Sequence, residues 1–177
     1  MNDLPASSQA LVAGLEKIDP EFLLYLPCGT AARVLSYFIS KTTLVHFPVA
    51  REEEGIGILS GLVLAGRRAV LLIQDTGLGN SMTALATFPQ VYHLPICIVA
   101  TRTGGRREIN SAVHRYSEHL PGILTAAGIS YESLDVRVPL SHWPAIVAER
   151  YQYARVSHRP VVILIDLKES RPNAGQN

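Results

Sequence analysis

The chain has 177 residues, 47% hydrophobic and 18% charged, with a formal net charge of +1. That is the length and makeup of one compact domain able to bury a real core, with somewhat fewer charges than usual. The near-neutral balance, with no Lys/Arg-rich run or aromatic-basic array, gives no signal for nucleic acid as a partner. Cys28 and Cys97 flank apolar runs without metal-ligand spacing, so reduced, buried thiols are expected. The N-terminal stretch MNDLPASSQALVAGLEK lacks the apolar centre of a signal peptide, and no apolar run reaches membrane-spanning length, so a cytoplasmic protein with no membrane partner is expected.

The elements follow one another as helix and strand. Leu4, Leu11, Val12 and Leu15 mark a helix over 5–17, and Phe22–Leu26 is a short apolar strand closed by Pro27-Cys28-Gly29-Thr30. Thr30 can cap a helix over 31–40, where Val34, Leu35, Phe38 and Ile39 share a stripe. A second strand over 43–47 leads to a helix at 51–66, and Ala69–Ile73 is a third strand. The glycine-containing turn Thr76-Gly-Leu-Gly-Asn80 then enters a helix near 80–88. A fourth strand covers 95–100, a polar loop 101–116, a helix 118–127 and a strand 130–134. The last pair is a helix at 140–156 and the strand Pro160–Asp166, after which 169–177 is expected to be a flexible tail.

Most of these strands are continuous apolar runs, the pattern of strands buried on both faces. The expected fold is a single doubly wound α/β domain over 1–168, with about six mainly parallel strands and helices on both faces. Ligands of such sheets lie beyond the carboxyl ends of the strands, which directs attention to residues 27–30, 47–52, 74–80 and 101–116.

Two of those stretches carry candidate chemistry. Arg51-Glu-Glu-Glu-Gly-Ile-Gly-Ile puts three acids in the first turn of a helix that is otherwise apolar nearly all round. Acids there favour the helix dipole by roughly 0.3–1 kcal/mol each, which alone accounts for a helix start. Counting back from Val63, Leu59 and Ile56 by helical steps reaches Glu52, whereas Glu53 falls on the line of Gly57 and Ser60/Gly61, a small-residue face suited to close packing. A carboxylate on the apolar side needs a partner. One strand further on, Gln74-Asp-Thr-Gly-Leu-Gly-Asn80 is a Gly-x-Gly turn that would let backbone approach a ligand, or would serve only to change direction. It has neither the third glycine of a dinucleotide fingerprint nor the lysine of a P-loop.

Together with Leu64-Ala-Gly66, Pro27-Cys28-Gly29-Thr30 and the last strand, these segments resemble the pyrimidine-binding domain of thiamine diphosphate enzymes. The likeness is greatest to the sulfopyruvate and phosphonopyruvate decarboxylases, above all to the separately encoded alpha subunits of the former family, and it covers nearly the whole chain. It implies thiamine diphosphate as cofactor. It implies that a glutamate at this helix start bonds N1′ of the aminopyrimidine and favours its imino tautomer. Alignment on Gly61 places Glu52 there, with Glu53 and Glu54 as alternatives, and assigns Thr76, Gly77, Leu78, Gly79 and Asn80 to cofactor binding. The family holds the diphosphate through Mg2+ with a Gly-Asp-Gly motif, and this chain has none. A beta subunit carrying that site is therefore implied as partner, in a hetero-oligomer with the catalytic site at the interface.

The implied reaction is decarboxylation of an anionic 2-oxo acid, 3-sulfopyruvate to sulfoacetaldehyde, with phosphonopyruvate as the alternative. Candidate substrate contacts are Cys28, Gly29 and Thr30, together with the donors Arg102, Arg106, Arg107 and His114. His46 is expected to be a satisfied core histidine, and Cys28 to pack rather than to react, since no basic neighbour in sequence would activate it. A reading of another class, a non-catalytic small-ligand or regulatory module, treats the glutamates as dipole decoration and the glycine turn as architecture.

Overall fold

A computed structural model of the chain describes residues 4–41, 43–104, 108 and 110–168. Arg106, Arg107 and the expected tail 169–177 lie outside the described residues. The helices are α1 (Ala6–Ile18), α2 (Ala32–Ile39), α3 (Glu52–Leu64), α4 (Asp75–Asn80), α5 (Met82–Thr87), α6 (Ser111–Ala126) and α7 (Trp143–Ser157). The strands are β1 (Phe22–Tyr25), β2 (Val45–Pro48), β3 (Ala69–Gln74), β4 (Cys97–Thr101), β5 (Ser130–Leu134) and β6 (Val161–Ile165). They form one six-stranded sheet in the order β2-β1-β3-β4-β6-β5, and every pairing is parallel.

The apolar runs read as doubly buried strands are so. In β3, Val70 and Leu72 join the core beneath α1, α2 and α7, where Leu11, Leu15, Phe38, Trp143 and Val147 lie. Leu71 and Ile73 point the other way, into a second core with Ile56, Leu59, Leu78, Leu85, Leu120 and Leu124. Alternate side chains of one strand thus serve opposite layers, as the two-residue strand period requires. Gly14 lets α1 press against α7, since a Cβ there would stand 2.7 Å from that of Val147.

Three local expectations need correction. Thr30 does not cap α2, which has no side-chain cap; it lies in a 3-10 turn at Gly29–Ala31, and its hydroxyl instead donates to that of Thr101 at 3.0 Å. The segment 76–80 is not a turn: β3 passes directly into α4, and Ser81 separates it from α5. The glycines there adopt helical geometry, and their small size is used sideways, as described below. The polar loop ends earlier than expected, because Asn110 caps α6 by accepting from the Ala112 amide at 3.0 Å. That helix then runs through the polar residues 111–117, which composition alone assigns to a loop.

A candidate ligand site at the head of the third helix

The strand order reverses direction between β1 and β3, so the crevice at their carboxyl ends is the topological switch point. β1 continues into residues 27–30 and β3 into α4. From the open edge, β2 continues through Val49 to α3, which crosses back over the sheet and packs on β3. The head of α3 is thereby brought beside α4.

The inner face of α3 is set by Ile56 and Leu59, both fully buried. Glu52 extends that face by one turn, so its half-buried side chain is directed onto α4 rather than into solvent. Its carboxylate rests on Gly77: a Cβ added there would lie 1.9 Å from Glu52 Oε1. No hydrogen bond or ion pair among the described residues engages that carboxylate. Glu54, by contrast, is exposed and accepts from the Ala50 amide at 2.8 Å, fastening the helix start. Glu53 is half-buried. On the far side of α3, Gly57 and Gly61 face open space, and Leu64 is 64% exposed.

Across α4, Gly79 does for Tyr116 what Gly77 does for Glu52. The Tyr116 hydroxyl lies 1.8 Å from where a Gly79 Cβ would be. Thr76, whose hydroxyl accepts from the Gln74 amide group at 2.7 Å, and Asn80 reach the surface of the helix. Leu78 does not: its side chain is fully buried in the core, so only its backbone could meet a ligand.

Residues 28–30 close the other wall. The Thr30–Thr101 hydroxyl bond spans from β1 to β4 across the end of β3, and Thr101 Oγ1 also donates to the Ile73 carbonyl at 3.4 Å. Cys28 Sγ lies 3.5 Å from Thr30 Oγ1 and 3.6 Å from Thr101 Oγ1. No cation contacts that thiol among the described residues, and it packs against the core. Gly29 is exposed.

Of the expected substrate cations, the two among the described residues, Arg102 and His114, are not gathered at Glu52. The Arg102 guanidinium lies between the Ser117 carbonyl, at 3.4 Å, and Asp135, at 3.9 Å, beyond the end of β5. His114, on α6, lies 3.3 Å from Glu118 at a shallow cavity of about 550 Å³ that Glu108 and Arg115 also line. His46 is half-buried, but its Nδ1 is buried with no partner among the described residues, so it is not the satisfied core histidine expected.

Asp75, to which the sequence reading gave no role, is fully buried at the head of α4. It accepts from the Thr103 amide at 3.1 Å, the Thr103 hydroxyl at 2.7 Å and the Ser117 hydroxyl. It thus ties the end of β3, the strand after it and α6 together, and it sets the turn of α6 that carries Tyr116. The sequence carries only a partial signal: an acid directly follows the apolar run Ala69-Val-Leu-Leu-Ile-Gln74, and once buried there it must find donors. Burial, and the negative charge of Asp75, raise the Tyr116 phenol above the ordinary tyrosine range.

No protein-family model matches the chain. The fold is shared with benzoylformate decarboxylase from Polynucleobacter necessarius, on which the chain superposes with a TM-score of 0.71 at 17% identity, over 98% of this chain and 33% of that one. Sequence similarity is more specific. The chain is 35% identical over 127 residues to sulfopyruvate decarboxylase subunit alpha of Methanococcus maripaludis, covering 72% of this chain and 76% of that one. It is 36% identical over 106 residues to the same subunit of Methanothermobacter thermautotrophicus, covering 60% and 64%. Phosphonopyruvate decarboxylase of Streptomyces viridochromogenes is more distant, at 26% over 115 residues and 28% of its length. The chain belongs to the family of sulfopyruvate decarboxylase alpha subunits.

Proposed function

We propose that this chain is one half of a thiamine diphosphate-dependent decarboxylase that converts 3-sulfopyruvate to sulfoacetaldehyde and carbon dioxide. A second chain, carrying a Gly-Asp-Gly segment, supplies the Mg2+ and diphosphate site. The observation that carries the reading is the Glu52 carboxylate: half-buried, without a partner among the described residues, and held on Gly77 at the switch point. A partly desolvated carboxylate of this kind requires a donor from elsewhere.

These residues fit the aminopyrimidine end of the cofactor. Glu52 would bond its ring nitrogen N1′ and hold a proton there, while Thr76, Gly79 and Asn80 present the accessible surface of α4. When bound, thiamine diphosphate supplies the nucleophilic carbon and electron sink that release of carbon dioxide from a 2-oxo acid needs. Cys28, Gly29 and Thr30 form the opposite wall. The open face of α3, with Gly57, Gly61 and exposed Leu64, lies on the other side of the helix that carries Glu52 and accepts the second chain. Small residues there allow two backbones to approach closely.

The test is reconstitution. The chain is mixed with a companion of similar size containing Gly-Asp-Gly, together with thiamine diphosphate, Mg2+ and 3-sulfopyruvate, and sulfoacetaldehyde is measured. Absence of aldehyde from every 2-oxo acid in a panel rejects the catalytic reading and leaves the non-catalytic module. Phosphonopyruvate belongs in that panel because a phosphonopyruvate decarboxylase is among the relatives; a clear preference for it would reassign the substrate. Calorimetry on the isolated chain should show weak cofactor binding, since the diphosphate motif is absent from its sequence.

A further inference from the structure

We infer that the Tyr116 hydroxyl is a substrate contact, the donor that receives the anionic group at the far end of the 2-oxo acid. This rests on the functional reading above and names the residue that gives it specificity. Glu52 and Tyr116 straddle α4, the carboxylate at Gly77 and the phenol at Gly79. Side-chain attachment points two residues apart on a helix stand roughly 7 Å from each other on opposite flanks. The distal anionic group of the substrate would need a hydrogen-bond donor, and Tyr116 presents one on the flank of α4 away from Glu52. Burial and, to a lesser degree, Asp75 both oppose loss of the phenolic hydrogen.

The hydroxyl is placed, not mobile. Ser117, the next residue, is fully buried and donates to Asp75, which also binds Thr103, so the α6 turn behind Tyr116 is fixed to the end of β3. The ring packs against the core that contains Leu78 and Leu120. Among the described residues Arg102 is a further donor in this region: its two terminal nitrogens are drawn to Asp135 and the Ser117 carbonyl, while its Nε is buried with no partner.

The experiment uses the reconstituted two-chain enzyme with Tyr116→Phe, which keeps the ring over Gly79 and removes only the hydroxyl. Two quantities are read: KM and kcat for 3-sulfopyruvate, and calorimetric affinity for 3-sulfopropionate, which has both anionic groups but no ketone. A rise of about tenfold in KM, with kcat within twofold and a matching loss of affinity for 3-sulfopropionate, is expected. Affinity for propionate, which lacks the sulfonate, should be unchanged. Retention of wild-type affinity for 3-sulfopropionate overturns the proposal. If the wild-type pair binds 3-sulfopropionate but turns over no 2-oxo acid, the functional reading fails, and the binding comparison alone decides the Tyr116 contact. Should Tyr116→Phe not assemble, Tyr116→Leu, which also removes the hydroxyl, is measured by binding of 3-sulfopropionate and propionate alone, with the same selective loss of 3-sulfopropionate affinity expected.

Discussion

Glu52 and Asp75 are two acids at the same end of the sheet, and α4 touches both. Asp75 is fully buried and accepts three hydrogen bonds, from an amide and two hydroxyls. Glu52 is only half-buried, and its carboxylate meets no donor among the described residues. A third acid, Asp135, shows the ordinary solution at the β5 end: Arg137 grips it with two nitrogens, at 2.9 and 2.6 Å. An acid that serves the fold brings its donors with it. Glu52 departs from Asp75 and Asp135: it is held in place by packing on Gly77, with no donor supplied by the described residues.

The contrast is broken most sharply at Glu52. Glu52→Gln in the reconstituted enzyme should lower kcat by about 10²–10⁴-fold, since the amide cannot hold the proton at N1′, while the melting temperature stays near wild type. Equal loss from Glu53→Gln or Glu54→Gln, with Glu52→Gln active, would move the role to a neighbour. Asp75→Ala should do the reverse. By stranding the Thr103 amide and the Ser117 hydroxyl it should cost about 3 kcal/mol of stability, seen in chemical denaturation of the single chain.

Gly61→Ala separates fold from assembly. Its Cβ would enter open space, so the single chain should gain about 1 kcal/mol from helix propensity. The same methyl group should weaken association with the second chain in a titration followed by sedimentation or calorimetry; unchanged affinity would place the partner on another face. The smallest effect concerns Asp135. Its carboxyl is held below the usual aspartate range, chiefly by the hydrogen bonds from Arg137, against the opposing effect of burial. The folded state therefore binds that proton less readily than the unfolded chain. The stability it contributes is present above the unfolded value near 4 and is lost as pH falls through the lower folded value. Because Arg137 is largely exposed, that contribution is under about 1 kcal/mol. Asp135→Asn should flatten the acid limb of the stability curve by that amount.

The sheet and its layers were legible because strands buried on two faces leave unbroken apolar runs, as in Ala69–Ile73 and Pro160–Ile165. The turn of α3 that carries Glu52 was legible in part, since helical spacing from Ile56 and Leu59 favours Glu52 as the acid that shares their side, although a helix apolar nearly all round keeps Glu53 and Glu54 as alternatives. The glycines of α4 were misread as a turn. Gly77 and Gly79 look the same in sequence whether they bend the chain or make room, and only the positions of Glu52 and Tyr116, distant in sequence, decide between these. Tyr116, Ser117 and Thr103 were missed for a related reason. Their stretch is polar, and polar residues that face a buried acid cannot be told from polar residues that face water until the acid's burial is known.

The hydroxyl pair Thr30–Thr101 works as a hasp. It fastens the lip that follows the first strand to the fourth strand, over the end of the third. The lip after the first strand is thereby braced against the centre of the sheet rather than hanging from its own strand alone.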